Sequence, residues 1–188
     1  MRFTRAELDS FRGARVPDLL GPTVRLLFVG INPGLWTAAV GAHFARRGNR
    51  FYPALYAAGI LDRSIDASAG YRPEDIACLH QRGVGITNIV PTASARADEL
   101  STAELRAGAH DLTGRVTRIA PVVVAVLGVS AYRIAFDRPK AAIGRQPDRL
   151  GGAELWVLSN PSGLNAHATV ASLAIEYRQA AVAAGITV

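Results

Sequence analysis

Four short runs, Arg25 to Gly30, Val84 to Val90, Val122 to Gly128 and Leu155 to Ser159, are apolar without alternation. A strand with one wet face alternates; a run apolar at every position must be covered on both faces, as in a parallel sheet sandwiched by helices. Segments with helical spacing separate the runs: Arg50 to Ala58, Pro73 to His80, Thr102 to Ile119 and Ser130 to Phe136. A last helix, Thr169 to Ala184, puts Val170, Leu173, Ala174, Tyr177 and Ala181 on one face. Ser101 with Glu104 three residues on forms a capping-box pattern at the start of the long helix. This alternation predicts a three-layer α/β/α sandwich with a central, mainly parallel sheet of four or five strands. Pro139 to Gly152, rich in Gly, Pro and charge, is expected to be a mobile loop or a hairpin.

The chain of 188 residues, 49% hydrophobic, fits one domain spanning 1–188, with no repeat or linker. Its longest apolar stretch, Ile119 to Ala131, is broken by Pro121 and Gly128 and is too short to cross a bilayer. Met1 to Leu20 carries charges every few residues, unlike a secretory signal. The lone Cys78 rules out an internal disulfide, a zinc ribbon and an all-cysteine iron–sulfur cluster. A cytoplasmic, nucleoid-associated protein is expected. The net charge of +6 suits a polyanionic partner, although a solvated basic surface would look the same. Lys140 is the only lysine, so the positive charge is carried by arginine, which suits phosphate forks.

In open α/β sheets ligands bind at the carboxyl ends of the strands. Three of those ends are unusual: Gly30-Ile31-Asn32-Pro33-Gly34, Thr87-Asn88-Ile89-Val90-Pro91 and Asn160-Pro161-Ser162-Gly163-Leu164. All three are expected at one mouth. Proline keeps the residue before it out of the helical region, so Asn32 and Asn160 are aimed; plain turn chemistry is the alternative. Gly30 to Gly34 is neither a dinucleotide fingerprint nor a P-loop. Gly128-Val129-Ser130-Ala131-Tyr132 lacks the final glycine of a nucleophile elbow. His43, His80, His110 and His167 show no ligand spacing and read as surface or packing residues, so no metal and no cofactor are expected.

Gly30 to Leu35, then His43-Phe44 and Gly48-Asn49-Arg50-Phe51-Tyr52, resembles the first motif region of the mismatch-specific uracil/thymine DNA glycosylases. Thr87 to Val90, and Trp156-Val157-Leu158 running into Asn160 to Leu164, continue the resemblance in order, from about Leu26 to about Tyr177. It implies an enzyme of base excision repair that flips uracil, or in some members thymine, out of a mispair with guanine. The N-glycosidic bond is then hydrolysed without a metal, leaving an abasic site. The implied partner is double-stranded DNA with a mispaired or damaged base, with no membrane and no obligate protein partner.

Residue by residue, the resemblance makes Asn32 the holder of the attacking water and groups Asn160 with it as catalytic. Phe44 becomes the ring on which the pyrimidine stacks, ordinary core being the alternative, and the backbone N–H groups of Ile31 and Phe44 become donors to its carbonyls. Asn88 would read the base edge or, alternatively, only hold the strand end; Ser94 would line the pocket. Leu164 would be the wedge that fills the vacated stack, with Ser162 and Gly163 near the phosphates. Arg46, Arg47 and Arg50 would contact phosphates or form a solvated charged face. There are departures: Ala166, followed by His167, stands where relatives often carry a basic residue, and Trp36 stands where smaller residues are common, either narrowing the pocket or packing beneath it. A uracil glycosylase without mismatch preference and a silent DNA- or nucleobase-binding module are the competing readings.

Overall fold

The computed structural model describes residues 3–188. In chain order the elements are α1 (Arg5–Asp9), β1 (Leu26–Gly30), α2 (Leu35–Val40), α3 (Phe51–Ala57), α4 (Pro73–Gln81), β2 (Val84–Asn88), α5 (Thr102–Ile119), β3 (Val123–Leu127), α6 (Val129–Ala135), β4 (Gly144–Leu150), β5 (Ala153–Leu158) and α7 (Val170–Ala183). The five strands form one sheet in the order β2-β1-β3-β5-β4. Every neighbouring pair is parallel except β4 with β5.

Successive residues of β1 explain why the runs do not alternate. Leu26 and Phe28 pack with Phe51 and Leu55 of α3 and with Leu173 and Tyr177 of α7. Leu27 and Val29 point the other way, into Leu105, Leu112 and Val116 of α5 and Tyr132 of α6. Both faces are dry, so a polar residue at any of these positions would be buried without a partner.

The segment from Pro139 to Gly152 is not a plain loop: it contains β4, whose antiparallel pairing with β5 makes the hairpin alternative the right one. Its sequence reads as a loop because an edge strand has a wet side, tolerates Pro147 and is interrupted between Arg145 and Arg149. Two further helices have no counterpart in the sequence reading. α1 opens with a capping box between Thr4 and Glu7, and the short α2 lies between Gly34 and a left-handed Gly41.

Two features of this frame build the site. The sheet order changes direction between β1 and β3, and that crevice is where doubly wound sheets take ligands. The N-terminal segment is strapped to β2 by Leu19 N–H to Ile86 C=O at 2.9 Å and Ile86 N–H to Leu19 C=O at 2.8 Å, which carries Pro17 and Asp18 behind the end of β2.

Candidate active site at the strand ends

A cleft of about 150 Å³ opens at the β1/β3 crevice, lined among others by Gly30, Asn32, Phe44, Asn88, Leu127 and Asn160. A cavity of about 150 Å³ is enough to hold a benzene-sized ring. The three unusual strand ends therefore do meet, around a space of the size of one base.

Asn32 follows β1, and Pro33 fixes its backbone. Its amide donates from Nδ2 to Ser94 Oγ at 2.8 Å and to the Pro33 carbonyl at 3.0 Å. Ser94 has one hydroxyl hydrogen, and spends it on the carbonyl of Arg96 at 2.7 Å. Ser94 can then only accept from Asn32, which fixes the sense of the amide: NH2 towards Ser94, carbonyl oxygen free for another donor. Ser94 lies 8% exposed behind Asn32 rather than among the groups lining the cleft.

Gly30 leaves room above the strand end. A Cβ there would sit 2.5 Å from Asn88 Oδ1 and 3.3 Å from the Phe44 ring. Phe44 has φ of 55°, a left-handed conformation uncommon for a non-glycine residue, and its ring stacks on Phe51 at 4.1 Å. One face of the ring is thus backed by core while the residue also borders the cleft. The ring is both packing residue and wall.

Asn88, at the end of β2, is 4% exposed. Its Nδ2 lies 3.3 Å from His43 Nδ1, and the Arg115 guanidinium donates to its backbone carbonyl at 2.7 Å. Arg115 is itself paired with Asp18 at 3.3 Å and bonded to the Thr87 hydroxyl, so a polar network anchors the strand end from behind. Asn88 therefore holds the strand end and borders the cleft at once.

The rim comes from the segment after β5. Asn160 Oδ1 accepts from Ser162 N–H at 2.9 Å, an Asx turn, and Asn165 Nδ2 donates to the Asn160 carbonyl at 2.9 Å. Turn chemistry thus occupies the Asn160 side-chain oxygen, while its amide nitrogen turns towards Gly128. At the tip Leu164 is 73% exposed, which removes any core role. Gly163 runs so close to Gly48 that a Cβ would lie 2.9 Å from the Gly48 carbonyl.

The arginines divide. Arg46 and Arg47 are exposed beside this loop. Arg50 is half-buried and clamps the loop from beneath, donating to the carbonyls of Asn165 at 3.0 Å, Ser162 at 3.3 Å and Gly163 at 3.4 Å, while its own N–H bonds the Pro161 carbonyl at 2.9 Å.

Ile31 borders the cleft with Asn32. Trp36 packs beneath, its indole N–H bonded to the Ser68 carbonyl at 2.9 Å, and Thr37 takes the place at the cleft wall. Ala166 and His167 are exposed. Sequence reasoning passed over Thr37, Asn49 and Leu127 as cleft residues and read His43 only as surface or packing. Leu127 closes β3, and His43 and Asn49 fall in the segment that carries the family resemblance, whereas Thr37, inside α2, has no signal of its own. Among the described residues no group of three or more His, Cys, Asp or Glu is placed to hold a metal ion, and no helix is long and apolar enough to cross a membrane.

A fold of this order with a ring-sized cleft at its switch point has a counterpart among known families. The chain belongs to the uracil DNA glycosylase superfamily, whose family model matches residues 17–183. A solution NMR structure from Methanosarcina acetivorans, described provisionally as a uracil DNA glycosylase, superposes with a TM-score of 0.58 at 16% identity, covering 90% of this chain and 97% of that one. At that identity the likeness speaks for the fold, which is the α/β sandwich expected from the sequence.

Proposed function

We propose that residues 1–188 act as a single-domain DNA glycosylase that extrudes uracil from a mispair with guanine and hydrolyses its N-glycosidic bond. The observation that carries this reading is the Asn32 amide. Its nitrogen is tied to Ser94, so its carbonyl oxygen is available to hold a water in a cleft the size of one base.

The chemistry follows from what the residues offer. The flipped pyrimidine stacks on Phe44, which Phe51 holds in place. The bond from the sugar C1′ to N1 of the base breaks, both electrons leave with the base, and the sugar becomes oxocarbenium-like. Water held at Asn32 Oδ1 adds to C1′ and gives its proton to solvent. An amide is too weak a base to take that proton in the transition state, so rate comes from position and from the leaving group. The backbone N–H groups of Ile31 and Phe44, aimed at the carbonyls of the base, stabilise its negative charge. Asn160, at the opposite lip, orders the turn that presents the wedge loop.

The same reading gives the rim its work. Leu164 enters the stack, Ser162 and Gly163 approach the backbone, and Arg46 and Arg47 meet phosphates. A mispaired uracil costs less to extrude than a paired one, which favours U opposite G. The test is release of base from otherwise identical duplexes with U·G, U·A and T·G, and from single-stranded U, with and without excess chelator. Release from U·G ahead of U·A, undiminished by chelator, is expected. Equal rates on U·G and U·A remove the mismatch preference; no product from any uracil substrate removes the glycosylase.

A further inference from the structure

His43 is buried, titratable and unused by the mechanism above. It lies 2% exposed between the cleft and the N-terminal strap. Its Nε2 is 2.9 Å from the Pro17 carbonyl, and a carbonyl can only accept, so Nε2 carries a hydrogen. Burial holds the ring below the usual histidine range and hence neutral at neutral pH. A neutral ring with hydrogen on Nε2 has a bare lone pair on Nδ1. The group facing that lone pair is the Asn88 amide, and only its NH2 end can satisfy it. The Asn88 oxygen must then point the other way, over Gly30, where the missing Cβ leaves it room beside Phe44.

From this we infer that His43 is a positioning residue for base choice: it fixes the Asn88 amide so that a carbonyl oxygen faces the base-sized cleft. The inference rests on the glycosylase reading for its biological meaning, but the relay itself does not. Reversing the amide would set the Asn88 oxygen against the Nδ1 lone pair, acceptor against acceptor. In the fixed sense the cleft offers an acceptor, with the second Asn88 N–H beside it. That pair suits a ring N–H next to a carbonyl, as in uracil and thymine. It opposes cytosine, which has a lone pair at N3 and an amino group at C4. The strap completes the device, because Leu19 pairing with Ile86 is what holds Pro17 in reach of His43.

The experiment has an arm that needs no catalysis. Ring 15N shifts of His43 should show a neutral Nε2–H tautomer at pH 7.5; an Nδ1–H tautomer or a cationic ring overturns the relay. Binding is then compared for duplexes carrying 2′-fluoroarabinouridine or 2′-fluoroarabinocytidine opposite thymine, sugars that resist cleavage. In His43→Leu the ring's donor and acceptor are both removed, so nothing at this position sets the sense of the Asn88 amide. The uracil-over-cytosine affinity ratio should fall at least tenfold from the parent's, and the cost of opening each pair cancels between the two proteins. Tyr52→Phe removes a hydroxyl that bonds the His43 carbonyl at 3.0 Å and serves as the structural control. It should lower the melting temperature and leave the ratio unchanged. An unchanged ratio in His43→Leu, or an equal fall in Tyr52→Phe, overturns the inference; if His43→Leu does not fold, the tautomer decides. A parent that binds with the expected ratio but releases no base fails the glycosylase reading and leaves the relay standing.

Discussion

At the floor of the cleft Asn32 and Asn88 each have the nitrogen end of an amide committed to a neighbour, Ser94 and His43, that is itself committed elsewhere. At the rim Leu164, Arg46 and Arg47 stand in solvent, held only through the backbone that carries them. The floor is built so that nothing turns, and the rim so that side chains remain free to meet a large partner. Substitutions at Asn32 and Ser94 should change the chemical step and leave DNA affinity alone; those at the rim should change how duplex DNA is held and opened and spare the reaction on single-stranded uracil.

The sharpest way to break this division is Asn32→Ala. Single-turnover release of uracil should fall roughly 100-fold or more with little change in DNA affinity, because water placement matters mainly in the transition state. A parallel loss of affinity would make Asn32 part of the binding surface. Ser94→Ala is the milder floor change: the amide loses one of its two anchors and keeps its sense through the Pro33 carbonyl, so the rate should drop by about tenfold at most, again at constant affinity.

At the rim, Leu164→Ala should slow release from duplex DNA about tenfold where base extrusion limits the rate, since losing ~1.4 kcal/mol of support for the flipped state has that effect. Single-stranded uracil should be spared, and with the side chain exposed the melting temperature should not move. Equal slowing on both substrates would assign Leu164 to the floor. Arg46→Ala and Arg47→Ala should each flatten the plot of log affinity against log salt, by about 0.9 for every phosphate that is no longer neutralised. Arg50→Ala separates the two kinds of arginine. Its donors go to loop carbonyls, so it should slow duplex release with the salt slope unchanged.

The smallest effect is on stability. His43 is held neutral by burial, with Asp18, Tyr52 and Tyr71 the titratable groups around it. Its folded pKa is depressed, so its contribution is complete above the unfolded value near 6.5 and is lost as pH falls through the lower folded value. Melting curves from pH 7.5 downwards should show this loss in the parent and not in His43→Leu.

The same contrast explains what the sequence revealed. The four parallel strands were legible because two dry faces force every residue to be apolar, and α5 was found at Thr102–Ile119 because Ser101 and Glu104 mark its start. β4 was read as a loop or hairpin because an exposed edge asks little of its side chains. α2, six residues long between glycines, has no side-chain cap to announce it. In the site, Asn32 and Asn160 stood out through strand-end position and proline, and Asn88 through strand-end position alone. Ser94 was named only through the resemblance, as a pocket wall, and His43 only as surface or packing, since their significance lies in where a single hydrogen goes, which depends on Arg96 and Pro17 being folded against them. Arg50 matched a phosphate contact by charge; its bonds to the carbonyls of Ser162, Gly163 and Asn165 are a tertiary fact with no local signature.

The strap between Leu19 and Ile86 has a consequence in time. Pro17 is synthesised well before β2, and α2, α3 and α4 lie between them in the chain. Ser94, which sets Asn32, also follows β2, and the N-terminal segment that brings Pro17 to His43 pairs through Gly13 and Ala14 with Ala93 beside Ser94. The water site and the choice of base therefore depend on one docking event. A nascent molecule would hold neither until β2 and the segment after it have emerged.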